Sequence, residues 1–378
     1  MEFLKSIHIK GYKCFVDNSF NLRPLTILAG INSVGKSSLI QSILLFRSFI
    51  EKLKFEEKPL IELNKQFGLM LGNFSQIHSK KAQGNSIMFS FNQDYENNFF
   101  VQFHPGQETL IEKDYDLNSL VLNPVELSKK QILQNTIFGK KEFYYLYAER
   151  LGPRNVYHLE HLSYPHSGWQ GEFALQICSD IHIKRMKVDS QKVFFDSKIT
   201  TFEKQLNEWM NYIIPNIDIQ SKIYNNINQI EAAINSSSPF NVGFGISYVL
   251  PVVVNGLLAQ QNTLYIVENP EAHLHPLGQS RIGYFLAKVA SAGVQVIVET
   301  HSEHVINGIR LAYMKDVLDK DDIIIHFLEK DENQEIKDTI IEILETGDLT
   351  KFPKGFLDQT QKDLAELTKF KIQKNKNK

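Results

Sequence analysis

The sequence predicts an α/β fold of two lobes that share a mixed β-sheet, with a mainly helical insertion between the lobes. Three observations predict this architecture. The apolar run at residues 25–29 passes through a glycine-containing loop into a segment of helical period that starts at Lys36. Apolar residues at three- and four-residue spacings predict a helix between residues 202 and 213. Apolar strands then resume at residues 264–268 and 294–298, so the chain is expected to return to the sheet.

These elements divide the chain into four segments. Alternating apolar residues predict strands at the start of the chain, and residues 86–91 and 99–103 predict two more strands around a polar turn. Turn-forming residues at 235–239 predict a boundary. The last ten residues contain five lysines and no acid, which predicts a frayed end. The predicted segments are an N-terminal lobe, a mainly helical insertion, a C-terminal lobe and a short C-terminal segment with a basic tail, at residues 1–118, 119–238, 239–345 and 346–378.

The composition excludes several classes of protein. The 378 residues include 41 Lys and Arg against 43 Asp and Glu, so no overall positive charge attracts nucleic acid or an anionic membrane. Two cysteines, Cys14 and Cys178, are too few for a disulfide framework or a cysteine-based zinc site. The start of the chain lacks the apolar core of a signal peptide, and the richest apolar stretch is interrupted. We therefore expect a cytoplasmic protein without membrane attachment.

A phosphate-binding loop is the most specific motif. Residues 30–37, GINSVGKS, match the pattern G-x-x-x-x-G-K-[ST] between a predicted strand and a predicted helix. Backbone N–H groups of such a loop and the positive end of the helix bind triphosphate oxygens. Lys36 is expected to reach the β- and γ-phosphates, and the Ser37 hydroxyl to bind Mg²⁺. The expected phosphate-binding residues are Asn32, Ser33, Val34, Gly35, Lys36, Ser37 and Ser38. An N-K-x-D string that would read guanine is lacking, which favours ATP.

Two strands of the second lobe are predicted to bring polar groups to one edge of the sheet. The strand at residues 264–268 ends in Glu268, which we expect to bind the metal ion. The strand at residues 294–298 is followed shortly by His301, which can hydrogen-bond the γ-phosphate or an attacking water molecule. Taken alone, such a histidine is usually structural, so its significance depends on its neighbours.

A second glycine-containing loop precedes an apolar helix. Gly243 and Gly245, followed by Ser247, predict another anion-binding helix start. Both loops can serve one nucleotide if two subunits dock head to tail, so that the loop of one subunit covers the ATP of the other. The alternative is a glycine turn between the lobes.

Four strings occur in a defined order along the chain: GINSVGKSSL, NVGFGISYVLP, LYIVENPEAHLHP and VIVETHS. They resemble the Walker A, signature, Walker B with D-loop, and switch-histidine motifs of ABC-type ATPases. They resemble the SMC, RecF and OLD branch rather than transporters, since the transporter string LSGGQ is absent. The phrases YLYAERLGPR, at residues 145–154, and FPKGFLDQ, at residues 352–359, also resemble a bacterial subfamily of predicted ATPases with a short C-terminal domain of unknown function.

This resemblance implies a P-loop ABC-type ATPase head that uses ATP and Mg²⁺. Lys36 and Ser37 would bind phosphate and Mg²⁺, and Glu268 would be the Walker B acid. The sequence between the phosphate loop and the Walker B strand lacks heptads, so we expect no coiled-coil arm.

The resemblance also implies partners. Gly245 and Ser247 would face the γ-phosphate of a second subunit in a head-to-tail dimer, and His301 would be the switch histidine. A companion effector is implied as well, a nuclease in a bacterial defence or DNA-repair module. The alternative is an ATP-dependent clamp on duplex DNA, for which Lys80 and Lys81 are the candidate contacts.

Several positions depart from the family pattern or stay open. Asn269 occupies the place of the usual catalytic glutamate, and an amide can orient water but cannot accept its proton, so slow hydrolysis is expected. Glu271 can replace that glutamate, although an acid there equally suits a helix N-terminus. Gln66 and Gln76 are both candidates for the glutamine that senses the metal, with surface polar residues as the alternative.

Two other patterns have simpler explanations. His273 and His275 form an H-x-H pair that in some hydrolases binds metal, but here they lie in the HLHP string of the family. Asp319 and Asp321 have the D-x-D spacing of TOPRIM nucleases. They precede a predicted strand instead of following one, so we expect a solvated turn.

Overall fold

The computed structural model describes residues 3–55, 61–64, 66–93, 98–105, 119–122, 136–154, 156–224, 229–234, 244–356 and 358–376. The strands, in chain order, are β1 (Ser6–Tyr12), β2 (Phe15–Asn21), β3 (Leu25–Gly30), β4 (Ile61–Glu62), β5 (Ile87–Asn92), β6 (Asn98–Pro105), β7 (Ser119–Leu122), β8 (Tyr144–Leu146), β9 (Val156–His158), β10 (Ile219–Tyr224), β11 (Gln229–Ile234), β12 (Leu264–Glu268), β13 (Gln295–Glu299), β14 (Ile323–Lys330) and β15 (Ile336–Ile341). The α-helices are α1 (Lys36–Leu53), α2 (Phe74–Ile77), α3 (Ala174–Ser179), α4 (Ile181–Arg185), α5 (Phe202–Ile213), α6 (Phe244–Leu258), α7 (Pro276–Ser291), α8 (Glu303–Met314) and α9 (Gln359–Lys376).

A mixed six-stranded sheet forms the centre of the molecule, in the order β15-β14-β3-β13-β12-β8. All neighbouring strands are parallel except β14 and β15, which are antiparallel. Every residue of β12 and β13 is buried, which explains why these strands are nearly continuous apolar runs in the sequence. The carboxyl ends of the five parallel strands lie at the same edge of the sheet.

Two hydrophobic clusters cover the two faces of this sheet. Successive residues of a strand point to opposite faces, so Ile27 lies in one cluster and Leu28 in the other. The first cluster contains α5, α6, α7 and α8. The second contains α1 and strands β1, β2 and β5. Helices α1 and α6 therefore lie on opposite faces of the central sheet.

A second six-stranded sheet, in the order β2-β1-β5-β6-β7-β4, is antiparallel at its described pairs. It includes the two strands predicted around a polar turn, and β5 and β6 confirm that prediction. Alternating burial in β1 and β5 places one face of this sheet against the second cluster.

The range 119–238 contains more β structure than its periodicity predicts. Helix α5 matches the predicted helix. However, β8 joins the central sheet, and β9, β10 and β11 form a three-stranded antiparallel sheet. Strands β8 and β9 are three residues long, too short to give a period-two signal. The boundary predicted at residues 235–239 lies outside the described residues.

The C-terminal segment also differs from its prediction. The expectation of a frayed end at residues 369–378 is wrong for the part that the structure describes, because α9 continues to Lys376. Lysine is a good helix former, so a lysine-rich sequence without Gly or Pro can stay helical. Among the described helices, none is long and apolar enough to span a membrane.

Candidate nucleotide site

The site lies at the edge of the central sheet where the parallel strands end. Strand β3 ends at Gly30, β12 at Glu268 and β13 at Glu299. Two backbone hydrogen bonds join the turns at this edge: the Asn269 N–H donates to the Glu299 carbonyl at 2.8 Å, and the Thr300 N–H donates to the Leu28 carbonyl at 3.1 Å. The topology thus places the phosphate loop beside two acidic strand ends, as expected for a ligand site in an α/β sheet.

The phosphate loop joins β3 to α1 through left-handed backbone at Ser33 (φ 64°) and Gly35 (φ 105°). A Cβ atom at Gly35 would lie 2.8 Å from the Cys14 sulfur and 2.9 Å from the Phe15 ring, so only glycine fits. The Val34 side chain is buried and anchors the loop. Asn32 and Ser33 are exposed, and Ser38 hydrogen-bonds the Cys14 side chain.

The Lys36 side chain is folded over this loop. Its ammonium group donates hydrogen bonds to the carbonyl oxygens of Gly30, at 2.9 Å, and Ile31, at 2.8 Å. The residue is buried, and burial lowers the pKa of Lys36, whereas the nearby Glu299 carboxylate opposes that change. The ammonium group is thus held at the mouth of the loop by carbonyl oxygens.

Ser37 contacts an acid on the neighbouring strand. Its hydroxyl lies 3.2 Å from both carboxylate oxygens of Glu299, which is 5% exposed. Burial raises the pKa of Glu299, while Lys36 and the Ser37 hydrogen bond act in the opposite direction. The two residues are separated by 262 positions in the sequence and meet only through the pairing of β3 with β13.

Glu268 is equally buried but has different contacts. The Tyr145 hydroxyl donates a hydrogen bond of 2.9 Å to its Oε1 atom, and the residue is 4% exposed. Burial, assisted by the Glu299 carboxylate, raises the pKa of Glu268 to about 8. Without a bound cation, the edge therefore holds two carboxyl groups that disfavour each other's ionisation.

The turn after Glu268 is held by Arg150. Its guanidinium group is 3% exposed and donates hydrogen bonds to the carbonyl oxygens of Glu268 and Asn269, the second at 3.2 Å. Asn269 has a left-handed backbone, with φ 43°. Its Oδ1 atom is buried and has no hydrogen-bond partner within the described ranges. An acceptor that is buried without a partner costs free energy, so it marks a place where a donor is expected to bind.

Glu271 organises the segment that carries His301. One of its oxygens accepts from the Thr300 hydroxyl at 2.8 Å, and the other accepts from the His301 backbone N–H at 2.8 Å. The His301 ring hydrogen-bonds the Gly30 backbone, and burial, assisted by Lys36, lowers the pKa of His301. A neutral imidazole thus lies next to the phosphate loop.

The predicted signature residues lie elsewhere. Gly245 and Ser247 are in the first turn of α6, and Gly243 lies outside the described residues. A Cβ atom at Gly245 would lie 2.8 Å from the His273 carbonyl oxygen, so α6 begins tightly against the segment that follows β12. Because α6 and α1 cover opposite faces of the sheet, the structure does not place these residues within the phosphate loop.

The two glutamine candidates have other contacts. The Gln66 side chain donates to Glu51, and the Gln76 side chain accepts from the Asn73 backbone in the capping box of α2. Their hydrogen bonds thus tie them to positions outside the cluster around Ser37.

The two histidines of the H-x-H pair also have structural partners. His275 caps α7 by accepting from the Leu277 N–H, and the His273 ring packs edge-on against Tyr248. Asp319 caps the 3₁₀ turn Lys320–Asp322 before β14, in agreement with the predicted turn.

Three residues of the edge were missed by the motif analysis: Tyr145, Arg150 and Glu299. The first two lie in the string YLYAERLGPR, whose resemblance to a subfamily phrase assigns no role to individual residues. Glu299 lies in VIVETHS, directly after the predicted apolar strand. The same pattern, an acid at the end of an apolar strand, was the signal that identified Glu268.

Comparison with known proteins identifies the family of the chain. The sequence matches the family described as "AAA domain, putative AbiEii toxin, Type IV TA system" over residues 25–307, and residues 318–367 match a protein family of unknown function, DUF3696. No curated protein matches at a significant level.

Solved structures are similar at the level of fold. The Smc head domain of Pyrococcus furiosus, with an extended coiled coil and bound to the C-terminal domain of ScpA, is 12% identical with a TM-score of 0.50, and the match covers 97% of this chain and 100% of that one. An SmcHead bound to the C-winged helix domain of ScpA is also 12% identical, with a TM-score of 0.49 and coverage of 91% and 98%. The SMC head domain from Thermotoga maritima is 12% identical, with a TM-score of 0.42 and coverage of 89% and 98%. The family match spans more than half of the chain, and the protein therefore belongs to this AAA-type ATPase family, with an SMC-like head fold.

Proposed function

We propose that this protein is an ATP-binding and slowly hydrolysing switch that closes as a head-to-tail dimer around Mg·ATP and controls a partner effector. The observation that carries the proposal is the Ser37–Glu299 contact, which joins the phosphate loop to an acidic strand end. Family membership supports nucleotide use. Bound Mg²⁺ would supply charge neutralisation for the phosphates, and its oxygen ligands would come from Ser37 and the acids at the edge.

The slow hydrolysis follows from the groups that face the loop. Asn269 offers a free Oδ1 acceptor that can orient a water molecule, but an amide does not take up the proton. Both oxygens of Glu271 are engaged by Thr300 and His301, so its role in this proposal is to position the switch segment. His301 would then report the state of the γ-phosphate. The chemistry relies on positioning and electrostatics, with no covalent intermediate.

The dimer is supported by the placement of α6. Its first turn and the phosphate loop are both at the carboxyl edge of the sheet but on opposite faces. Gly245 and Ser247 can therefore act on a γ-phosphate most simply when it is held by a second copy. A closed twofold arrangement satisfies both copies at once.

The partner effector is proposed from the relatives. The Pyrococcus furiosus head with this fold is bound to a domain of ScpA, so a head of this type can carry a partner protein. The family description names a toxin system. We propose that the effector here is a nuclease in a bacterial defence system.

Phosphate release from Mg·ATP tests the proposed activity. We expect low but measurable turnover in the wild type, none in Lys36→Ala, and faster turnover in Asn269→Glu, which restores a proton acceptor beside Glu268. Lys351→Ala removes an exposed lysine outside the site and should behave as the wild type. Duplex DNA is added in a parallel series.

The outcomes are distinct. Equal ATP affinity in Lys36→Ala and wild type would overturn the nucleotide site. Strong stimulation of phosphate release by duplex DNA would contradict the effector switch and favour an ATP-dependent DNA clamp. If no protein co-purifies when the native operon is expressed, the proposal of a partner effector is contradicted.

A further inference from the structure

Glu268 and Glu299 are register partners on neighbouring parallel strands. Residues paired in register point to the same face of a sheet, and so do residues two positions apart in a strand. Ile266 and Ile297, two residues before the two acids, belong to the cluster around α1. Both carboxyl groups are therefore directed to the face where α1 and the phosphate loop begin. The sequence motif singles out Glu268, but the geometry offers two acids.

The contacts of the two acids differ. The Glu299 carboxylate lies 3.2 Å from the Ser37 hydroxyl through both of its oxygens. Glu268 accepts from the Tyr145 hydroxyl instead, and no hydrogen bond between Glu268 and Ser37 occurs among the described residues. The acid that touches the phosphate-loop serine is thus Glu299.

The donor set fits a hard divalent cation. A serine hydroxyl and two buried carboxylates are the oxygen ligands that Mg²⁺ takes, and it commonly uses one or two carboxylates with nucleotide phosphates completing the shell. In the described part of the chain, no group of three His, Cys, Asp or Glu side chains could hold a metal ion without ligands from the nucleotide. Two acids this buried can be ionised together only with a cation close to both, and the Lys36 ammonium group is hydrogen-bonded to two loop carbonyls.

We propose that Glu299 is the acid that pairs with Ser37 in binding Mg²⁺, with Glu268 as the second carboxylate. The inference rests on the proposed function, since it assigns a ligand within the Mg·ATP site. It adds a metal contact from β13, the strand that neighbours the Walker B strand and ends two residues before His301. One strand would then link metal binding to the position of His301.

The test measures ATP affinity with and without Mg²⁺, using a fluorescent ATP analogue in the full-length protein. In the wild type, Mg²⁺ should tighten binding. In Glu299→Gln, affinity in EDTA should stay close to that of the wild type, while the gain from Mg²⁺ should fall about 10- to 100-fold. The control is Glu303→Gln, a partly exposed acid four residues away that faces His304, which should keep the full gain.

A ligand swap separates metal binding from a structural role. Glu299→Cys should lose the response to Mg²⁺ and gain a response to Cd²⁺, because a thiolate prefers the softer ion. The wild type, which contains Cys14 beside the loop, is the reference for Cd²⁺. A purely structural acid would give no such exchange of metal preference.

The results can contradict the two proposals separately. Loss of the Mg²⁺ gain in Glu268→Gln together with a full gain in Glu299→Gln would overturn the assignment while leaving the ATP site intact. Absence of ATP binding in the wild type under both conditions would overturn the proposed function itself.

Discussion

At the scale of single residues, Arg150 holds the turn on which the site depends. Its buried guanidinium donates to two successive backbone carbonyls, those of Glu268 and Asn269, and its Cζ atom lies 5.8 Å from the centre of the Tyr248 ring. These contacts hold Asn269 in its left-handed conformation at the end of β12. Arg150, which lies between β8 and β9, thus stabilises the backbone conformation that presents the Asn269 amide.

We expect Arg150→Met to lower the free energy of unfolding by about 3 kcal/mol, because two buried carbonyls lose their donors. Arg150→Lys should lose less, since an ammonium group can still reach one carbonyl. Chemical denaturation measures both values. Arg154→Met, an exposed arginine in the same string, is the matched control and should change stability by no more than about 0.5 kcal/mol. Equal effects of Arg150→Met and Arg154→Met would contradict this role.

Glu268 gives the protein a pH dependence of stability when metal and nucleotide are absent. Its pKa is about 8 in the folded protein and 4.5 in an unperturbed glutamate. Between these values the folded state holds a proton that the unfolded state has released. Stability therefore falls as pH rises through this window, by up to about 1.4 kcal/mol per pH unit.

Glu268→Gln removes this titration and keeps an acceptor for Tyr145. In EDTA, its stability advantage over the wild type should be about 1 to 3 kcal/mol larger at pH 8.5 than at pH 5.5. Urea unfolding at the two pH values measures it, with Glu303→Gln as the control. An advantage that does not change with pH would show that the buried carboxyl is not the cause.

At the scale of elements, local patterns predicted more than distant contacts. The loop after β3, the helix α1 and the buried strand β12 were all predictable, because each depends on periodicity and turn chemistry within a few residues. The Ser37–Glu299 contact was not, since it arises from strand order and spans 262 positions. The sheet of β9, β10 and β11 was missed because β9 has only three residues, and because β10 and β11, with six each, lack a regular alternation of apolar and polar residues.

Helix α9 is not buried by the rest of the described chain. Its residues 362–374 are all exposed, including four apolar side chains, Leu364, Leu367, Phe370 and Ile372. Burial of apolar surface is the main source of helix stability in proteins, and this helix has none of it within the described residues. Its folding is therefore nearly independent of the two hydrophobic clusters.

Truncation after Asp358 should accordingly change the free energy of unfolding by less than about 0.5 kcal/mol, as measured by the urea midpoint and slope. Phe356→Ala provides the contrast. Phe356 is 2% exposed and packs edge-on against Phe327 with ring centres 5.3 Å apart, so its loss should cost about 3 kcal/mol. A large loss on truncation would mean that α9 packs against the rest of the chain.

At the scale of the whole molecule, the central sheet separates the phosphate loop from the predicted signature residues, although both are expected to contact the same nucleotide. The phosphate loop and α1 lie on one face, and the first turn of α6 lies on the other. In a single copy, Lys36 and Ser247 therefore belong to different surfaces. A second copy is needed to bring them to one nucleotide, and in the proposed dimer ATP holds the two copies together.

The most direct test is sedimentation velocity of the wild type, Lys36→Ala and Ser247→Arg, each with saturating Mg·ATP and with separate measurement of bound nucleotide. We expect that the wild type dimerises, that Lys36→Ala neither binds ATP nor dimerises, and that Ser247→Arg binds ATP but stays monomeric. A wild type that stays monomeric while saturated with Mg·ATP would contradict the proposed dimer, as would a Ser247→Arg protein that dimerises as readily as the wild type.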